Sequence, residues 1–162
     1  MTSFLYPGGT TGTLRAMEDP QVLSFLKNSA EKAKFITSTC TGSLVLAAAG
    51  LLKGKTCTGH WAARQSLEAF GGRPVDARVV VDGQMVTGAG VSAGIDMAIT
   101  VTRLLRGDAY AQGLMLMAEY APEPPIPGGT PQTTEPRMRK MITDMLAPMD
   151  AKARAIAAKS PV

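Results

Sequence analysis

The sequence predicts a single α/β sandwich on a mostly parallel sheet, and three observations carry that expectation. Short β-branched or aromatic runs, such as Phe4-Leu5-Tyr6, Phe35-Ile36-Thr37 and Val79-Val80-Val81, alternate with stretches of helical periodicity. Gly8-Gly9, Cys40 and His60 each follow a predicted strand directly, and in such sheets functional groups gather at the carboxyl ends of strands. Finally, 162 residues with 45% hydrophobic and 19% charged side chains suit one domain able to bury a core.

Taken in order, Phe4-Leu5-Tyr6 ends a first strand, stopped by Pro7-Gly8-Gly9. The Gly/Thr-rich segment that follows reads as a loop. Asp19-Pro20 then starts a helix with the acid as N-cap and proline in the first turn. Val22, Leu23, Phe25, Leu26, Ala30 and Ala33 mark its apolar face.

Phe35–Thr39 reads as a strand, Cys40 as the apex of a sharp turn, and Thr41–Ala49 as a helix closed by Gly50. Ser38 and Gly42 lie two residues either side of the cysteine, where a tight strand-to-helix elbow tolerates only small side chains. A thiol at that apex is exposed and faces free helix amides, which favour a thiolate and can hold developing negative charge. The competing reading is a buried cysteine acting as a small hydrophobe. Cys57, in the strand Lys55–Thr58, reads as that inert kind.

A helix over 62–70 follows Gly59-His60-Trp61, and Arg78–Thr87 reads as a hairpin turning at Asp82-Gly83. Helices over 95–105 and 108–119 come next. Residues 1–120 are expected to form the α/β domain, 121–136 a Pro/Gly-rich arm, and 137–162 a helical segment packed on the domain or on a partner. Met138, Met141, Ile142, Met145 and Leu146 give that last helix an apolar face, read as core or subunit contact, and residues 151–162 are expected to fray.

The net charge of +4 comes entirely from the C-terminal segment, where six basic residues face only Asp144 and Asp150. No aromatic residue is interleaved with them, so nucleic acid is not the expected partner. No membrane span or signal peptide is visible, which makes a cytoplasmic protein with free thiols the expectation. No Cys/His cluster has metal-ligand spacing. Gly88-x-Gly90-x-x-Ala93 fits a loose dinucleotide fingerprint, but a hairpin precedes it and a helix follows Leu105, so close backbone packing is the preferred reading and no cofactor is expected.

Tyr6-Pro7-Gly8-Gly9, Thr39-Cys40-Thr41-Gly42-Ser43, Ala49–Gly54, Gly59-His60-Trp61, Val86–Asp96 and Glu119–Pro122 together resemble the ThiJ/PfpI superfamily, in particular its isocyanide hydratase-like branch and related domains of some transcription regulators. The resemblance implies a flavodoxin-like, glutamine-amidotransferase-like three-layer sandwich, a homo-oligomer (a dimer) and a small-molecule substrate. It makes Cys40 the nucleophile, gives the Thr41 and Gly9 amides an oxyanion-binding role, and puts the Thr41 hydroxyl near the substrate. His60 matches a position near the cysteine in parts of the superfamily.

By chemistry alone, His60 is the only histidine and thus the natural general base, although a histidine beside a tryptophan after a strand is also commonly structural. Similar proteins begin with a strand–helix–strand portion bearing a carboxylate that touches the nucleophilic sulfur. This chain starts near the Pro-Gly-Gly turn, so an N-terminally truncated version of the fold is expected. The resemblance implies a cysteine-dependent hydro-lyase, in which the thiolate adds to an isocyanide that is then hydrated to an N-substituted formamide; the departure motivates the alternatives, a non-catalytic sensing or interaction module, or an inactive fragment of the same fold.

Overall fold

The computed structural model describes residues 2–159. In chain order it forms β1 (Thr2–Tyr6), α1 (Thr11–Glu18), α2 (Pro20–Ala30), β2 (Ala33–Thr39), α3 (Gly42–Ala48), β3 (Thr56–Cys57), a 3-10 helix (Arg64–Phe70) and β4 (Arg73–Pro74). There follow β5 (Val79–Asp82), β6 (Met85–Gly88), α4 (Ala93–Arg106), α5 (Asp108–Met117) and α6 (Pro136–Lys159).

The main sheet has the order β1-β2-β6-β5. β1 and β6 flank β2 in parallel, and β5 returns antiparallel through the Asp82-Gly83 turn, where Gly83 takes φ +62°. β3 and β4 form a second, two-stranded parallel sheet. The three-layer α/β architecture is as expected. Ile36 and Met85 enter the larger core with Leu26, Leu44, Leu46, Leu52 and Leu67, beneath α1, α2, α3 and α6. Val86, next along β6, is equally buried but outside that cluster, as strand alternation requires, and α4 packs on that side with Ala93 and Met97 buried. Each fully buried leucine or isoleucine contributes about 1.5–3 kcal/mol.

Five details differ from expectation. The Gly/Thr segment is not a loop but α1, whose Ala16 and Met17 are buried, and Asp19 alone separates it from α2. Ala33 is not on the helix face; α2 stops at Ala30 and Ala33 opens β2. The helix expected over 62–70 is a 3-10 helix that starts at Arg64. β4 was not anticipated, being two residues held by backbone bonds alone. α6 continues to Lys159 because Ala153, Ile156 and Ala157 bury into the core, whereas Met138, Met141 and Met145 lie exposed; the last residues of the stretch expected to fray, 160–162, lie outside the described residues.

The Asp19 cap forms as read: its Oδ1 accepts from Gln21 N–H at 2.8 Å and from Val22 N–H at 3.4 Å. Glu135 does the same for α6, accepting from Arg137 and Met138 N–H at 2.9 Å each.

Candidate active site

Cys40 leaves β2 in the left-handed region, with φ +59°. For a side chain with a Cβ this conformation costs roughly 1–2 kcal/mol per residue, and the surrounding bonds over-determine it. The Cys40 N–H donates to the Gly88 carbonyl at 3.1 Å; the Cys40 carbonyl accepts from the His60 N–H and the Ser43 hydroxyl, both at 3.1 Å. The turn lifts the thiol out of the strand to a half-buried position.

The small residues around the elbow have steric reasons. A Cβ on Gly42 would strike the carbonyl oxygens of Tyr6 and Pro7. One on Gly8 would lie 2.7 Å from Cys40 Cβ and 2.8 Å from Thr41 N. The Pro-Gly-Gly turn therefore rests directly against the cysteine. Ser38 is fully buried, and its hydroxyl has no hydrogen-bond partner among the described residues, so at this position small size is the property in use.

Thr41 ties the two loops. Its Oγ1 donates to the Gly9 carbonyl at 2.6 Å and accepts from the Gly9 N–H at 2.8 Å. Thr13 of α1 joins them, with its Oγ1 3.1 Å from Thr41 Oγ1 and 3.2 Å from the Gly9 carbonyl. The Gly9 amide is thus engaged by Thr41 in this conformation. Thr13 lies on a helix that the Gly/Thr-rich sequence around it does not signal.

The Pro-Gly-Gly turn, the elbow and the His60 segment meet around one cavity of about 460 Å³, lined by Pro7, Gly8, Gly9, Thr10, Thr39, Cys40, Thr41, His60, Ala62, Ala63, Val91, Leu146 and Met149. Every residue singled out for chemistry, Gly9, Cys40, Thr41 and His60, opens onto it. None of its lining residues is charged. Burial pushes the His60 imidazole below its ordinary range, favouring the neutral ring. Its Nδ1 accepts from the Ala62 N–H at 3.3 Å, which leaves the neutral ring's proton on Nε2. No hydrogen bond joins His60 to Cys40 Sγ among the described residues. Val91, Leu146 and Met149 were not foreseen as lining residues; the last two come from α6, whose period reveals an apolar face but not what it faces.

Cys57 lies elsewhere, fully buried, and burial pushes its thiol up to about 11. At the glycine fingerprint, a Cβ on Gly88 would crowd the Ala93 carbonyl and Met97 Cβ at 3.3 Å, and one on Gly94 would sit 3.2 Å from Thr39 Oγ1. These contacts support the packing reading for Gly88 and Gly94, whereas a Cβ on Gly90 would meet nothing within 4 Å.

The comparisons with known proteins agree with this architecture. The DJ-1/PfpI family model matches residues 3–104. An isonitrile hydratase from Pseudomonas putida is 50% identical over 127 residues, 78% of this chain and 55% of that protein. A Parkinson disease protein 7 homolog from Danio rerio is 32% identical over 108 residues, 66% of this chain and 57% of that one. The crystal structure of a ThiJ/PfpI family protein from Pseudomonas syringae superposes with a TM-score of 0.94 at 44% identity; it covers 97% of this chain, and so takes in most of α6, and 65% of that chain. The present chain thus spans little more than half the length of these curated relatives. The family match runs from β1 through the elbow and the hairpin into α4, and the chain belongs to the DJ-1/PfpI family.

Proposed function

We propose that this chain carries the site of a cysteine-dependent isocyanide (isonitrile) hydratase. The observation that carries the reading is Cys40, pinned at φ +59° on a strand-to-helix elbow and opening into an uncharged cavity of about 460 Å³. Identity to the Pseudomonas putida isonitrile hydratase supports the reaction class.

In this mechanism the Cys40 sulfur, as thiolate, adds to the terminal carbon of R–N≡C, and a proton is delivered so that an enzyme-bound thioimidate, S–CH=N–R, forms. Water adds to that carbon to give S–CH(OH)–NH–R. The hydroxyl of that adduct then gives up its proton to solvent as the C–S bond breaks; the sulfur leaves with its electron pair, restoring the thiolate, and HC(=O)–NH–R is released. The Thr41 amide, at the start of α3, and the Gly9 amide are the donors this reading assigns to negative charge near the attacked atom; Gly9 would exchange its bond to Thr41 for that purpose. His60 is the group assigned to proton transfer: its neutral ring takes up a proton at Nδ1 only by exchanging the Ala62 N–H for the reacting group, and the imidazolium so formed can return it.

The same reading takes the protein as a homodimer acting on a small molecule. The direct test is conversion of an aryl isocyanide to its formamide by purified protein; no turnover above a Cys40→Ala control would sink it. The second reading, a sensing module using the same cavity, is favoured by the lack of any carboxylate among the lining residues. It predicts ligand binding or reversible Cys40 oxidation without turnover.

A further inference from the structure

The cavity's walls are unequal. Most of its lining residues are Gly, Ala, Pro or Thr, whose short side chains and backbone leave little volume to vary. Val91 lies at the mouth, 81% exposed, and His60 is tied to the Ala62 amide. The remaining long side chains are Leu146 and Met149, both from α6 and one turn apart.

α6 carries these two side chains on either side of Pro148, and its part beyond that proline is anchored to the core. Met149, Ala153, Ile156 and Ala157 bury against the core, and the Asp150 carboxylate accepts from the Ser66 hydroxyl on the 3-10 helix that follows His60. Lys152 reaches Glu18 of α1 at 3.4 Å, and Arg154 pairs with Asp150 at 2.9 Å. Leu146, half-buried, stands one turn before this anchor and projects into the cavity. α6 lies outside residues 3–104, the span of the family model, while the Pseudomonas syringae structure covers most of it.

We infer that Leu146 and Met149 set the size of the N-substituent the site admits, and that the substrates are isocyanides bearing an uncharged apolar group. No lining residue carries a charge to pair with an ionic tail, and desolvating an unpaired charge there would oppose binding. The substrate class rests on the hydratase reading; the wall itself does not.

Two measurements on the full chain separate these. The first is the ratio of Cys40 alkylation rates with N-naphthyl iodoacetamide and with iodoacetamide, read by peptide mass spectrometry. The second is the ratio of turnover with naphthyl and with methyl isocyanide. Leu146→Ala should raise both ratios and Leu146→Trp should lower both, each by about fivefold or more, the scale on which small changes of apolar pocket shape discriminate. Met145→Ala, one position along and not lining the cavity, should leave them unchanged. Alkylation ratios indifferent to Leu146, or moved equally by Met145→Ala, would overturn the wall. Alkylation ratios that follow Leu146 in protein with no turnover would uphold the wall and overturn the substrate class.

Discussion

Thr41 Oγ1 and the Gly9 backbone exchange two hydrogen bonds, at 2.6 and 2.8 Å, and through them the elbow that carries Cys40 is locked to the turn that faces it. Thr41→Val keeps the shape and removes both bonds. The expected cost is about 1–2 kcal/mol in urea unfolding, with Thr41→Ser recovering most of it. Equal stability of the Val and Ser variants would show that the lock is not energetically significant.

Gly8 and Gly9 are adjacent but should respond differently to alanine. A methyl on Gly8 meets Cys40 Cβ at 2.7 Å, whereas on Gly9 the nearest atom is Thr13 Oγ1 at an ordinary 3.7 Å. Gly8→Ala must displace the elbow, and turnover should fall by roughly a hundredfold, the scale of a displaced reacting group. Gly9→Ala keeps the amide and meets nothing closer than 3.7 Å, so it should lose far less. Similar losses in the two variants would contradict the geometry.

Ser38 gives the opposite kind of test. Its buried hydroxyl has no partner among the described residues, so Ser38→Ala should stabilise the fold by about 1 kcal/mol in thermal or urea unfolding. Destabilisation of that size would reveal a partner for the hydroxyl.

The buried thiol of Cys57 has its pKa raised to about 11 from 9.0, so little thiolate forms there at pH 8. Folded protein should be alkylated at Cys40 and not at Cys57 until denatured. Between pH 9 and 11 the unfolded chain has lost the Cys57 proton that the native state retains, so stability should fall as pH rises through that window. Cys57→Ala should flatten the fall.

His60 works at the other end of the pH scale. Its native pKa lies below the ordinary 6.5, so below that pH the unfolded state binds the proton first and stability declines with acidification. His60→Gln should lose less stability between pH 7.5 and 5 than wild type. An identical decline would assign the acid sensitivity to other groups.

Where local chemistry determines local geometry, the sequence was readable. Small residues around Cys40, the Asp19-Pro20 start and the Asp82-Gly83 turn each act within a few positions, and each formed where expected. α1 was hidden because Gly8-Gly9-Thr10-Thr11-Gly12 carries loop residues, no side chain caps the helix, and tertiary burial of Ala16 and Met17 supplies its stability. The end of α6 was misjudged for a related reason: an Ala- and Lys-rich tail looks frayed until Ala153 and Ile156 find a core. Leu146 lies more than a hundred residues from Cys40 in sequence, and helical periodicity says nothing about that distance in space. The site's loops were legible, while the wall that bounds its volume was not.

The most direct measurement combines turnover with a covalent trap. Wild type, Cys57→Ala and Cys40→Ala are mixed with an aryl isocyanide, formamide is followed in time, and a portion is acid-quenched for peptide mass spectrometry. The account predicts formamide from the first two, with a Cys40 peptide heavier by the mass of one isocyanide, and neither product nor adduct from Cys40→Ala. Formamide production by Cys40→Ala at the wild-type rate would contradict it.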